Sequence, residues 1–162
     1  MECIIGKIKN KLYMRKIRKI IIHCSATQEG KDIDAKEIKK WHVEKRGWSD
    51  IGYHYVIKLD GTVEEGRPIE RSGAHTLNHN HTSIGVCYIG GVEKKKKKVG
   101  DKMKWIPKDT RTNEQKASLH DLLLRLKDDF PNASVHGHNE FSSKSCPCFD
   151  ALNEYAWISN LK

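Results

Sequence analysis

The sequence predicts a single α/β domain in which helices flank a central mixed β-sheet. Segments typical of strands alternate with segments of helical periodicity, and one hairpin signal adds an antiparallel pair. A length of 162 residues is enough to bury a core without disulfide bonds. We expect residues 1–19 to be a basic, at most partly ordered N-terminal extension and residues 20–162 to form the domain, with the start at Met1 or Met14 left open.

The first predicted elements are a buried strand and a helix. Lys19–His23 holds three consecutive isoleucines, which is typical of a strand inside a sheet, and it ends on a histidine. The range 34–37 has the pattern of a capping box, so a helix begins there and Gly47 ends it. One face of this helix carries Ile38, Trp41 and His42. We expect His42 to be a hydrogen-bonded core histidine and not a ligand.

A hairpin and a second buried strand follow. The range 53–59 is rich in β-branched and aromatic residues, and Asp60-Gly61 suits the positive φ angles of a tight turn before a returning strand at 62–65. Ser83–Ile89 has the composition of a strand buried on at least one face, and two glycines end it.

The second half of the chain predicts a long helix, a short strand and a closing helix. The range 112–115 is another capping box, and Pro131 ends the helix that it starts. Apolar residues recur at helical spacing between them, at Leu119, Leu122, Leu123, Leu126 and Phe130. The strand is expected at 133–136. The closing helix is expected at 149–158, with Leu152, Tyr155 and Ala156 on its buried face.

The chain is strongly basic. Lys and Arg number 30 against 21 acidic residues, a formal charge of +9, which favours a polyanionic partner: nucleic acid, an acidic wall polymer or an acidic protein face. Much of the excess surrounds the run Lys94–Lys98, which we interpret as a solvated loop, with an acidic partner as the alternative. No aromatic residue interleaves with the five lysines as a base-stacking platform would need, so nucleic acid is disfavoured.

Two absences in the sequence bear on location. No run approaches the roughly 18 apolar residues of a membrane span. The charged N-terminus lacks the apolar core of a secretory signal, so we expect synthesis in the cytoplasm. The five cysteines form no spaced disulfide framework, and metal binding or burial is the better default for them.

Candidate metal ligands stand at the ends of apolar runs and in polar loops. His23 closes the first strand, and His138 and Cys146 stand eight positions apart near the C-terminus. Two imidazoles and one thiolate would leave the fourth position of a tetrahedral zinc ion open to water, which indicates a hydrolytic centre. Other triplets compete with this one. His75, His79 and His81 share one polar segment, and His136 with His138 would face the same side of a strand.

Eight short motifs follow one another in a fixed order along the chain. They are His23-Cys24-Ser25-Ala26-Thr27, Trp41-His42, Gly47-Trp48, Ile51-Gly52-Tyr53-His54-Tyr55, Asp60-Gly61-Thr62-Val63-Glu64, Gly66-Arg67, Ser83-Ile84-Gly85-Val86-Cys87 and Lys144-Ser145-Cys146-Pro147. This series resembles the type-2 N-acetylmuramoyl-L-alanine amidases, zinc enzymes that include small phage lysozymes and the peptidoglycan recognition proteins. The resemblance runs from about Ile20 to about Asp150.

The resemblance implies roles for named residues. Zinc would be held by His23, His138 and Cys146, the thiolate variant of the family's ligand set. Tyr53 and Lys144 fall on the two further positions that catalysis needs. An ammonium such as Lys144 suits a developing oxyanion, and a tyrosine can orient water or relay a proton. His75 resembles a histidine beside the family's cleft, so His75 and Asn80 are candidate substrate contacts.

The function implied is hydrolysis of the amide between N-acetylmuramic acid and the L-alanine of the peptidoglycan stem peptide. Without an export signal, such an enzyme suits a phage or prophage endolysin that reaches the wall once the membrane is opened. The alternative is a peptidoglycan-binding or regulatory module without turnover, because some family members bind walls without cutting them. The sequence leaves open the host wall chemistry, the oligomeric state and any protein partner.

Overall fold

The computed structural model describes residues 15–162. The strands are β1 (Lys19–Cys24), β2 (Thr27–Gln28), β3 (Tyr55–Ile57), β4 (Val63–Glu65), β5 (Ser83–Tyr88), β6 (Gly91–Val92), β7 (Lys97–Val99), β8 (Lys102–Lys104) and β9 (Ser134–Gly137). The α-helices are α1 (Ala35–Lys40), α2 (Asn113–Asp129), α3 (Ala151–Glu154) and α4 (Ala156–Ser159). A π-helical turn, Trp41–Lys45, extends α1, and 3₁₀ turns cover Asn80–Thr82 and His138–Glu140.

The central sheet is mixed, as predicted. Its order is β4-β3-β5-β1-β9. Strand β1 runs parallel to both β5 and β9, and β3 runs parallel to β5, whereas β4 is antiparallel to β3. Two small ribbons, β2 with β6 and β7 with β8, lie outside this sheet. The parallel strands therefore end at a common edge, which receives the residues that follow β1, β5 and β9.

The isoleucines of β1 explain its central place. Ile20, Ile21 and Ile22 have no exposed surface, and the strand has a hydrogen-bonded neighbour on each side, β5 and β9. On one face Ile20 and Ile22 pack with the leucines of α2 and with Ile158 of α4. On the other face α1 contributes Ile38 to a smaller cluster. Alternation along β1 sends His23 away from the α2 side.

Both predicted N-terminal helix caps are present. Thr112 and Gln115 make the two reciprocal hydrogen bonds of a capping box at α2, which ends before Pro131. At α1 the Asp34 side chain accepts from the Glu37 amide, but the Glu37 carboxylate accepts from the Trp41 indole instead of returning to the cap. The first cap is therefore half of a capping box.

The predicted hairpin forms with a longer connection than the Asp-Gly pair alone suggests. Strands β3 and β4 are joined by Lys58–Thr62, where Gly61 takes a φ of +86° and the Asp60 carboxylate accepts from the Thr62 amide. A Cβ at Gly61 would also lie 2.9 Å from the Glu114 carbonyl oxygen. Both the positive φ and the close approach of this carbonyl therefore favour glycine at this position.

Three predictions about elements are corrected. The closing helix is two short helices, because Tyr155 leaves helical geometry at φ −113° and ψ 15°. Its buried residues are Ala151, Tyr155 and Ile158, whereas Leu152 and Ala156 are exposed. The lysine run is only in part a loop, because Lys97 and Lys98 belong to β7. The last strand starts one residue later than predicted.

The described end of the N-terminal extension packs on the domain. Ile17 is buried in the main core, and the Arg15 guanidinium donates to the carbonyl oxygens of Ile69, Asn80, His81 and Ser83. The remainder of the predicted extension, 1–14, lies outside the described residues. Within residues 15–162 no helix combines the length and apolarity needed to cross a membrane.

Candidate metal centre

The common edge of the parallel strands brings three candidate ligands together. His23 is near the end of β1, His138 follows β9 directly, and Cys146 lies on the loop before α3. One ligand atom from each lies within 4.8 Å of the other two. The Nδ1 atom of His23 is 3.8 Å from the Cys146 sulfur.

This donor set fits zinc. With metal–ligand bonds of 2.0–2.3 Å, tetrahedral ligand atoms are about 3.3–3.8 Å apart, so the observed spacings need only small side-chain adjustments. Two imidazoles and one thiolate are ligands that zinc prefers. Three protein ligands leave one coordination position for water or substrate, which distinguishes this arrangement from a closed structural site.

The second nitrogen of His23 is also held. Its Nε2 lies 2.9 Å from Nδ1 of His75 and 3.3 Å from the Thr76 hydroxyl. Nε2 of His75 is 3.3 Å from the Ser83 hydroxyl, which donates to the His79 carbonyl at 2.8 Å. When the proton of His23 is on Nε2, His23 donates to Nδ1 of His75, and Nε2 of His75 donates to the Ser83 hydroxyl. This arrangement leaves Nδ1 of His23 free to bind a metal.

Glycines make room for the His75 ring. A Cβ at Gly73 or at Gly85 would lie 2.6 Å from Cδ2 of that ring, so the imidazole is enclosed between two backbone segments. The Asn80 side-chain oxygen accepts from the amides of His75 and Thr76 at 2.8 and 2.9 Å. The segment that carries His75 is therefore fixed from its backbone and from its side chain.

The imidazoles of the centre favour their neutral, metal-binding form. Burial holds the pKa of His23 well below its usual value, and the nearby histidines and Lys144 lower this pKa further. Burial is also the main reason that the pKa of His75 falls to about 3. Burial lowers the pKa of His138 too, and the positive charge of Lys144 adds to that effect.

Backbone contacts place the Cys146 loop. The Cys24 amide donates to the Cys146 sulfur at 3.2 Å, which suits a sulfur that carries negative charge when it binds a metal. The Tyr88 hydroxyl donates to the Pro147 carbonyl at 2.7 Å. Cys148, two residues further on, instead has its sulfur 3.8 Å from that of Cys24.

The structure places Tyr53 and Lys144 next to the three ligands. The Tyr53 ring centroid is 5.1 Å from that of His23, and burial raises the pKa of its hydroxyl well above the usual value, so the hydroxyl keeps its proton. Lys144 is exposed, and it lies close enough to lower the pKa of both His23 and His138.

The competing histidines have other partners. His136 contacts the Ser134 hydroxyl and the Glu140 carboxylate, while His138 has left the strand, so the structure brings His138 alone of that pair to Cys146. Among the described residues 15–162, no group of three that includes His79 or His81 has metal-binding geometry. His42 is buried and accepts from the Gly52 amide at 2.9 Å, as predicted.

Sequence reasoning missed the residues behind His23. Thr76 and Ser83 were not singled out, and His75 was expected to face substrate, whereas the structure gives its ring nitrogens protein partners. The available signal was the pair of glycines, Gly73 and Gly85, on either side of it in sequence. Substrate contact by His75 or Asn80 stays a prediction.

Fold and site define an α/β protein with a three-ligand centre of the kind that metal-dependent hydrolases use. The N-acetylmuramoyl-L-alanine amidase family profile matches residues 13–149, and the chain belongs to this family.

Individual relatives agree with the family match. The endolysin of Escherichia phage T7 is 42% identical over 131 residues, which cover 81% of this chain and 80% of that protein. The solved N-acetylmuramoyl-L-alanine amidase LysC from Clostridium intestinale URNW superposes with a TM-score of 0.71 at 25% identity, covering 93% of this chain and 89% of that one. A complex of peptidoglycan recognition proteins LCa and LCx with tracheal cytotoxin gives a TM-score of 0.61 at 26% identity, with coverage of 82% and 76%.

Proposed function

We propose that this protein is a zinc-dependent N-acetylmuramoyl-L-alanine amidase that cuts the bond between N-acetylmuramic acid and L-alanine in peptidoglycan, in the manner of an endolysin. The observation that carries this proposal is the meeting of His23, His138 and Cys146 within 4.8 Å beside Tyr53 and Lys144. Family membership supports the reaction class, and the similarity to a phage endolysin supports the biological setting.

The residues of the chain account for what amide hydrolysis needs. Zinc, when held by the three ligands, would acidify a water molecule and polarise the scissile carbonyl. The Lys144 ammonium, exposed at the open side, would stabilise the oxyanion of the tetrahedral intermediate. The Tyr53 hydroxyl, which stays protonated, would orient the attacking water and donate a hydrogen bond to it or to the departing amine.

The hydrogen bonds that join His75 and Thr76 to His23 would support hydrolysis by orienting a metal ligand. His75 and Thr76 hold the His23 ring in one orientation, so the metal would not have to select it from several rotamers. His75 is a positioning residue in this account, because it acts through His23.

A peptidoglycan-binding module without turnover is the second candidate, favoured by the structural similarity to the recognition proteins in the tracheal cytotoxin complex. Both candidates predict binding of muramyl peptides. Only the amidase requires a metal with an open position, and Cys146 completes the ligand set that such a metal needs.

The test is digestion of a defined muramyl peptide and of purified sacculi, with products identified by mass spectrometry. We expect release of free stem peptides beginning with L-alanine, loss of release after chelation, and recovery when zinc is added back. Cys146→Ser should lose bound zinc and turnover, whereas Cys148→Ser, a matched thiol two residues away, should keep both.

A zinc-loaded wild-type protein that binds muramyl peptides without releasing stem peptide would establish the binding module instead. Equal activity of Cys146→Ser and wild type would refute the metal centre.

A further inference from the structure

The β7–β8 hairpin is a charged structure that the amidase chemistry does not use. Between Glu93 and Trp105 the chain carries seven lysines against two acidic residues. Every residue of β7 and β8 is exposed. Within residues 15–162, Lys97 is the one lysine of this segment that has an ion-pair partner, the Glu93 carboxylate at 2.8 Å.

The register of the hairpin separates its side chains into two faces. Lys98 pairs with Met103, and Lys97 pairs with Lys104, so these pairs lie on opposite faces. Lys96 and Trp105 continue the first face, and the Lys96 ammonium lies 5.5 Å from the centre of the Trp105 ring. We call this set the amphipathic face: Lys96, Lys98, Met103 and Trp105.

The apolar members of the amphipathic face are open to solvent. Met103 is 58% exposed and Trp105 is 41% exposed. Lysines around a tryptophan and other apolar side chains are typical of elements that lie at a membrane interface, where the ring sits among headgroups and the ammonium groups meet lipid phosphates.

The base of the hairpin is anchored near the metal centre. The Glu93 amide donates to the Ile106 carbonyl and the Lys108 amide to the Gly91 carbonyl, both at 3.0 Å, just beyond the common edge of the parallel strands. Lys108 also forms an ion pair with Glu29 at 2.8 Å. Pro107, at this base, lines the same cleft as Ser145 next to Cys146.

We infer that the β7–β8 hairpin is a docking surface for an anionic lipid bilayer, with the amphipathic face against the headgroups. Charge complementarity favours an anionic partner, and the exposed methionine and tryptophan distinguish a bilayer from a purely polar polyanion. Nucleic acid fits less well, because the hairpin offers one aromatic ring where a single strand needs a series of them. Docking would hold the common edge of the parallel strands, with the candidate metal centre, close to a membrane surface.

The experiment measures binding of the full chain to large vesicles at about 0.1 M salt, where surface charges act over roughly 10 Å. Vesicles of equal parts phosphatidylglycerol and phosphatidylcholine are compared with pure phosphatidylcholine and with single-stranded and duplex DNA. The test variant carries Lys95→Gln, Lys96→Gln and Lys98→Gln. Its matched control, with the same change in net charge on exposed positions of the α1 segment, carries Lys36→Gln, Lys40→Gln and Lys45→Gln.

We expect binding to the anionic vesicles alone. Each lysine near the bilayer contributes roughly a fivefold factor, so the hairpin variant should bind about 100-fold more weakly. The helix control should change by less than about threefold, because its lysines lie on α1 and the turn after it, outside the amphipathic face. Trp105→Ala should weaken binding by about tenfold through lost apolar contact. Cleavage of a soluble muramyl peptide and thermal stability should stay unchanged in all three, which separates this inference from the proposed function.

Three results would overturn the inference. Equal losses in the two triple variants would show that net charge, and not the hairpin, drives binding. Equal binding to neutral vesicles would remove the electrostatic basis. Tighter binding to DNA than to anionic vesicles, with no effect of Trp105→Ala, would assign the hairpin to nucleic acid.

Discussion

The candidate metal centre and the β7–β8 hairpin both adjoin the common edge of the parallel strands, yet they differ in how far their charged and titratable side chains are exposed to solvent. The centre buries His23, half-buries His75 and His138, and gives the ring nitrogens of His23 and His75 protein partners. The hairpin exposes its lysines and supports them with only two short strands. Burial thus fixes proton positions in the first region, whereas the second keeps its charges hydrated and available to a partner.

The largest expected difference between the regions is in stability toward acid. His42 and His54 are buried beside the centre, and burial lowers the pKa of each to about 4. Below pH 6.5 the unfolded chain binds more protons than the folded one, so stability falls as pH drops from about 6.5 to about 4. Each histidine should cost about 2 kcal/mol between pH 7 and pH 5.

Denaturant unfolding at a series of pH values checks this. His42→Gln should reduce the dependence of the unfolding free energy on pH, whereas His120→Gln, a change at an exposed histidine, should leave it as it is. A free energy of unfolding that is flat between pH 7 and pH 5 would contradict the burial of these neutral rings.

Within the centre, substitutions of Tyr53 and Lys144 should lower turnover without loss of zinc, in contrast to substitutions of the metal ligands. Lys144→Gln and Tyr53→Phe should lower kcat about 100-fold or more while zinc content stays at one per chain, because they remove transition-state contacts and no ligand. Tyr55→Phe is the matched control, since Tyr55 packs against the α2 side of the sheet. Loss of zinc from either test variant would assign the residue to metal binding.

The next effect in size concerns His75. His75→Ala should weaken zinc binding about 10- to 100-fold, the usual loss when a partner of a metal-binding histidine is removed. Competition with a chelator measures this without turnover, and NMR of the His23 ring should show a changed nitrogen protonation. Unchanged zinc affinity together with a raised KM would instead place His75 against the substrate, as the family resemblance implies.

The smallest effect is expected in the hairpin itself. The triple change Lys95→Gln, Lys96→Gln and Lys98→Gln should alter the free energy of unfolding by less than about 1 kcal/mol, because exposed side chains away from the core contribute little. Thermal unfolding of the zinc-loaded protein measures it. A larger loss would mean that the hairpin supports the domain and is no independent surface.

Local sequence patterns were sufficient to predict strand β1 and helix α2. The isoleucines of Lys19–His23 predicted a buried strand, and the capping box with its leucine spacing predicted α2 to within a residue at its start. Such signals depend on backbone geometry and on periodicity within a few residues. They failed at the closing helix, where the packing of Tyr155 and Ile158 against α2 and β9 decides which side chains are buried.

For the site, sequence supplied the residue types and the family resemblance supplied the set His23, His138 and Cys146. The chain by itself could not choose between His136 and His138, because the choice depends on where β9 ends. Nor could it show that His75 contacts His23 across 52 positions.

What the sequence determined about this protein is therefore the strands of its central sheet, its main helix, its surplus of lysines and its family. What the tertiary structure decided is which side chains meet: three candidate ligands at one edge, a histidine behind the first of them, and a lysine face with two apolar side chains on the hairpin. The physical reason is that propensity and periodicity act over one or two turns, whereas convergence depends on the parallel register of β1 with β5 and β9, which distant contacts fix.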